Sequence, residues 1–108
     1  MGYNTSGDGE IDPATVGDAL VVVESRAAAL APPPAGAVEL LRALERRVID
    51  AGQVVEIGEV AAGTAPGRTS GTQLTLYKSV GVAAQDAAAA ALVLAAARRQ
   101  GAGTRITM

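Results

Sequence analysis

Four consecutive apolar residues, Leu20-Val21-Val22-Val23, stand between polar and turn-forming neighbours. A continuous β-branched run of this length predicts a strand buried on both faces, as in a parallel sheet. Upstream, residues 4–10 are dense in Gly, Ser and Asp. Gly tolerates positive φ and Asx side chains bond nearby backbone, so a loop is expected there. Asp12-Pro13 has the form of an N-cap followed by Pro at the first helical position, which predicts a short helix ending near Gly17. Ser25 is placed to cap a second short helix over residues 26–31, which Pro32-Pro33-Pro34 ends because consecutive prolines cannot continue a helix.

Across residues 37–47, Val38, Leu41, Leu44 and Val48 recur at three- and four-residue spacing and predict a helix with that apolar face. Asp50-Ala51-Gly52 breaks it. Residues 54–62 fit two periods: Val54-Val55 with Ile57 suits a strand, whereas Val54, Ile57 and Ala61 suit a short helix, which is favoured. Gly63, Pro66, Gly67, Ser70 and Gly71 mark residues 63–71 as a loop. Residues 73–77 alternate as Gln, Leu, Thr, Leu, Tyr and read as a strand. Ser79 is placed to cap a long Ala-rich helix running to Gln100, with Asp86 in its early turns, Arg98 and Arg99 against the negative end of its dipole, and Gly101 as the αL cap. Residues 104–108 are expected to form a final strand.

Composition changes the picture in two ways. With 108 residues there is room for one modest core, and with aromatics at 2% and neither Phe nor Trp, that core must be Ala, Val, Leu and Ile. Since burial is worth roughly 25 cal/mol per Å², small side chains leave little margin over chain entropy, and a partner domain or subunit is expected. The absence of His and Cys removes the commonest general base, the commonest metal ligand and any disulfide framework, so zinc chemistry and Ser-His catalysis are excluded. Net charge is −2 with no basic stripe, which disfavours nucleic-acid binding. The N-terminus has neither the basic cap nor the apolar run of a signal peptide. The apolar stretch at residues 87–97 is shorter than the roughly 20 residues that span a bilayer. A soluble, cytoplasmic chain is expected.

Three loops invite chemistry and two fail. Gly7-Asp8-Gly9 would put the third glycine of G-x-G-x-x-G at Asp12 with no preceding strand. As a calcium loop, the same segment offers Asn4, Ser6, Asp8, Gly9 and Asp12, but Thr15 stands where the bidentate Glu should be. Residues 63–70 lack G-K-[ST] and lead into a strand. The most informative segment is Leu74-Thr75-Leu76-Tyr77-Lys78-Ser79-Val80-Gly81, a strand that turns sharply into a helix. Amides at such a turn can receive a carboxamide, carboxylate or phosphate, and Gly81 would let a flat ring approach. A capped helix start with Lys78 in solvent explains the same residues equally well.

Extended to Val82-Ala83-Ala84-Gln85-Asp86-Ala87-Ala88-Ala89, this segment closely resembles the "ITLFKSVGxAxxDxAAA" stretch of the ornithine cyclodeaminase/mu-crystallin family. Ile57-Gly58-Glu59-Val60-Ala61-Ala62-Gly63 with Gly67-Arg68-Thr69-Ser70 resembles the family's "LGELLAG…GR.S". Met1-Gly2-Tyr3-Asn4, Glu10-Ile11-Asp12 and Val21-Val22-Val23-Glu24-Ser25-Arg26 resemble its "VGSN…ELD…VVVDSR". The order agrees over essentially the whole chain. Members of that family join a dimerising substrate domain to a Rossmann domain binding NAD(H) or NADP(H), and perform hydride chemistry on amino or imino acids. The resemblance therefore implies a partial Rossmann-like α/β fold: residues 1–80 would end the cofactor domain, and residues 81–108 would return toward the substrate domain.

By the same resemblance Gly2, Tyr3, Ser79 and Val80 lie beside the cofactor, Asn4 and Val80 beside the substrate, and Asn4 at the catalytic position. Cyclodeaminases carry an acidic residue there. An amide cannot act as a general base, so the resemblance points away from ornithine cyclisation and toward ketimine reduction, amino acid dehydrogenation or a non-enzymatic binding role. The family's G-x-G-x-x-G turn and substrate-binding cations lie upstream of the segment matching residues 1–4, so the chain alone is expected to be inactive, with its exposed sheet edge promoting self-association. The rival expectation is a non-enzymatic oligomeric interaction module that retains the fold remnant.

Overall fold

The computed structural model describes residues 9–104 and residue 106. Helix α1 (Pro13–Asp18) begins where Asp12 receives the amides of Ala14 and Thr15, both at 3.0 Å. It leads into β1 (Leu20–Val23), then α2 (Arg26–Ala29), capped by Ser25, and α3 (Val38–Glu45). A 3-10 turn at Ala51–Gln53 precedes β2 (Val55–Glu56), which runs directly into α4 (Ile57–Ala61). After a long connection come β3 (Thr75–Lys78) and α5 (Ala83–Gln100), the latter closed by Gly101 at φ 63°.

The three strands form one parallel sheet in the order β2-β1-β3. The continuous apolar run Leu20–Val23 is thus the central strand, and Val21, Val22 and Val23 are buried. Around it the core gathers Val16 of α1, Ala29 of α2, Leu40 and Ala43 of α3, and Ala37, Ile49 and Val54 from the connections. Leu40 is fully buried. Leu40→Ala is expected to cost about 2–5 kcal/mol, since the cavity would be lined by elements that cannot all collapse into it. An unfolding free energy from denaturant titration within about 0.5 kcal/mol of the parent would show that this core is not the stabilising one.

Several elements differ from expectation. Helix α3 turns a different face inward: Ala37, Leu40 and Ala43 are buried, while Val38, Leu41 and Leu44 are half-buried and Val48 is exposed. Small residues on the inner face let α3 lie close to α1. Residues 54–62 are not one helix but a two-residue strand running into a helix of five. Val55 and Glu56 pair with Val22 and Val23, and ladder hydrogen bonds to β1 outweigh the helical period there. The long helix starts at Ala83, four residues beyond Ser79, with Val82 at its N-cap and no side chain capping it. Of the expected strand at residues 104–108, Thr104 and Ile106 are in no strand and the rest lies outside the described residues.

Helix α5 has no buried residue, and Leu92, Val93 and Leu94 are 73%, 68% and 50% exposed. The molecule measures 54 × 35 × 22 Å with a radius of gyration of 17.4 Å. A compact chain of this length would have a radius near about 13 Å. Among the described residues no helix is long and apolar enough to cross a membrane.

Candidate functional site

Because the strands are parallel, their carboxyl ends share one side of the sheet, where ligands bind in open α/β folds. Val23 lies opposite both Glu56 and Lys78, so the residues that follow each strand leave the sheet together. Three polar clusters stand there, and each uses residues of the segments singled out in the sequence.

In the first, Glu24 reaches across to the end of β3. Its Oε1 accepts the Ser79 hydroxyl at 2.8 Å, the Val80 amide at 2.8 Å and the Gly81 amide at 2.6 Å. Its Oε2 is buried with no hydrogen-bond partner. Burial pushes the Glu24 carboxyl up, but hydrogen bonds from its own backbone, Ser79, Gly81 and Val80 outweigh this and hold it below the ordinary glutamate value.

The second cluster surrounds Lys78, whose ammonium lies 2.9 Å from Glu10 Oε2 and 3.2 Å from Glu39 Oε1. Glu39 is 2% exposed and also accepts the Glu10 amide at 2.8 Å, while its Oε2 is buried without a partner. In the third, Arg26 donates through Nε to the Val54 carbonyl at 2.8 Å and through a terminal nitrogen to Glu59 at 2.7 Å. Glu56 accepts the Arg26 amide, and Glu59 also accepts the Glu56 amide, so α2 and α4 are tied to the ends of β1 and β2.

This geometry corrects three readings. Ser79 does not cap a helix; its hydroxyl donates to Glu24. Lys78 is not in solvent but joins two carboxylates, with its side chain 16% exposed. The amides at the turn, expected to be open to a ligand, are already on Glu24. Ser79 and Val80 stand together at the end of β3, both half-buried, whereas Gly2, Tyr3 and Asn4 lie outside the described residues. Gly81 has φ 80°, and the space a Cβ would fill there is open.

Sequence reasoning missed Glu24, Glu39 and the linkage of Arg26 to Glu59. Glu24, Arg26 and Glu59 lay within recognisable segments, so a charge directly after a buried strand was a usable signal. Glu39 gave none, because its partner Lys78 is distant in sequence. Among the described residues no group of three or more acidic, His or Cys side chains could hold a metal ion. A shallow groove of about 680 Å³, lined by α1 with Arg46 and Val48, does not include Ser79 or Val80.

Comparison with known proteins agrees with this arrangement. The chain is 34% identical over 101 residues to iminosuccinate reductase from Paracoccus denitrificans (strain Pd 1222), covering 94% of this chain and 30% of that protein. The crystal structure of the Paracoccus denitrificans enzyme in complex with NAD+ superposes with a TM-score of 0.75 at 31% identity, over 100% of this chain and 32% of that one. Thermococcus litoralis Δ1-pyrroline-2-carboxylate reductase, in complex with NADH and L-proline, gives a TM-score of 0.74 at 33% identity, over 91% of this chain and 29% of that one. The chain thus spans about a third of the length of these relatives. The family model for the ornithine cyclodeaminase/mu-crystallin family matches residues 1–101, and with a parallel sheet whose strand ends carry the corresponding segments, the chain belongs to that family.

Proposed function

We propose that this chain forms one wall of an NAD(P)-dependent amino or imino acid oxidoreductase site, of the ketimine reductase or amino acid dehydrogenase type. The observation that carries this reading is the placement of Ser79 and Val80 at the carboxyl end of β3, in a turn shaped by Glu24. Relatives similar to this chain over nearly its whole length are reductases of imino acids with NAD(H) bound. When bound, the nicotinamide would supply or accept a hydride.

The described residues fit a flat ring better than a phosphate. Val80 packs partly against the core and offers an apolar edge, Gly81 leaves open space beside it, and Ser79 is fixed by its bond to Glu24. The cations at the strand ends, Lys78 and Arg26, are both in ion pairs. The 108 residues contain no G-x-G-x-x-G turn, so in this reading the pyrophosphate is held by residues outside them. Gly2 and Tyr3 then belong to the cofactor side. Asn4 stands beside the substrate, where its amide can donate and accept hydrogen bonds but cannot take a proton as a general base. Residues 1–80 would complete the cofactor domain, and residues 81–108 would return to a substrate and dimerisation domain. The reading carries a cytoplasmic location with it.

The test is a chimaera in which this chain replaces the matching 30% of the Paracoccus denitrificans iminosuccinate reductase. It is expected to bind NADH or NADPH with a micromolar Kd by calorimetry and to oxidise the cofactor when an imino acid is supplied. The chain alone should bind neither cofactor measurably below millimolar concentration. A folded chimaera that binds neither cofactor would overturn the reading. The exposed α5 favours a second reading, a non-enzymatic interaction module; a stable oligomer of the chain together with an inert chimaera would establish it.

A further inference from the structure

A chain leaving a parallel strand must place its next N–H groups on some acceptor or on water. At the end of β3 those of Val80 and Gly81 go to a side chain from the neighbouring strand. Val23 pairs with Lys78, so Glu24 is the residue beside Ser79, and its carboxylate takes the place of the next rung of the ladder. All three donors converge on one oxygen, while the other is buried and unpaired. Glu24 thus ties the turn at residues 79–81 to the end of β1.

We propose that Glu24 is a positioning residue of the hydride-transfer site: by holding the Ser79 hydroxyl and the Val80 and Gly81 amides, its carboxylate sets where Ser79 and Val80 stand. The inference rests on the oxidoreductase reading above. Glu24 acts through the turn and need not touch the reacting atoms. Without it, the turn would be free to place its amides on water and Val80 would move with them. A displacement of about 1 Å in a reacting geometry can cost on the order of 100-fold in rate.

Two measurements test this. On the full chain, amide resonances of Val80 and Gly81 should shift together as pH falls below the ordinary glutamate value, following Glu24, and this response should vanish in Glu24→Gln. In the active chimaera, Glu24→Gln should lower kcat about 10- to 100-fold with a smaller change in KM, and Glu24→Asp, which keeps the charge but is one methylene shorter, should recover part of the loss. Amides that do not follow Glu24 would overturn the geometry, whatever the activity. An active chimaera in which Glu24→Gln keeps the parental kcat would overturn the positioning role and leave the oxidoreductase reading standing. A parental chimaera that is itself inert would overturn both.

Discussion

Replacing Lys78 with methionine is expected to destabilise the fold by about 3–5 kcal/mol, the range for breaking a buried ion pair by removing one partner. Methionine keeps the length of the side chain and removes the charge. Glu39, 2% exposed, would then hold a carboxylate with one unpaired oxygen and no cation. Glu10, more exposed, could turn to solvent. The double variant Lys78→Met with Glu39→Gln should recover much of the loss, because the stranded charge goes with its partner. Denaturant titration of the four proteins measures this coupling, and additive effects of the two substitutions would mean that the pair is not coupled.

The same cluster gives the pH dependence a sign. Burial pushes the Glu39 carboxyl up, but the Glu10 amide, its own backbone and Lys78 bring it below the ordinary 4.5. A carboxyl whose folded value is depressed contributes stability that is present above 4.5 and is lost as pH falls through the folded value. Burial pushes Lys78 down, but its two carboxylates raise it above 10.5, so its contribution persists at neutral pH and is lost only as pH climbs through that raised value. In Lys78→Met the burial of Glu39 is no longer opposed by a cation. Its carboxyl then rises, so the deficit of the variant relative to the parent should shrink as pH falls below about 4.5. A deficit that stays constant as pH is lowered from about 7 to about 3 would contradict the assignment.

What the sequence made legible follows from how local each cause is. The Asp12 and Ser25 caps and the left-handed Gly101 act within a few residues, and each was readable. The run Leu20–Val23 was readable because a strand covered on both faces needs no alternation. The inner face of α3 was not: Ala37, Leu40 and Ala43 form a weaker stripe by hydrophobicity than Val38, Leu41 and Leu44, and the close approach of α1 selects the smaller set. Ser79 looked like a cap because helix N-termini favour serine. Its hydroxyl was drawn instead to Glu24, a partner 55 residues away that no local window contains. The polar clusters at the strand ends share that origin, since they join residues that only the parallel pairing of β1 with β2 and β3 brings together.

Substituting Leu92, Val93 and Leu94 together with glutamine is expected to abolish association of this chain, with itself or with a substrate domain, while leaving the helix intact. Residues 92–94 point in three directions about the axis of α5, and the tract around them is rich in alanine. A helix apolar on all sides is one that other elements cover. At 18 residues, with Asp86 near its start and Arg98 and Arg99 at its end, α5 is long enough to hold helical form without packing. Glutamine has helix propensity close to leucine, so circular dichroism should change little. Burying one Leu or Val side chain is worth about 1.5–3 kcal/mol. Leu92, Val93 and Leu94 are 73%, 68% and 50% exposed, so covering them fully supplies about 3–6 kcal/mol together, or on the order of a 100- to 10,000-fold change in Kd. Sedimentation of the parent at micromolar concentration should show an oligomer and the triple variant a monomer. A parent that sediments as a monomer of 10.7 kDa at every concentration would overturn the expected self-association through α5.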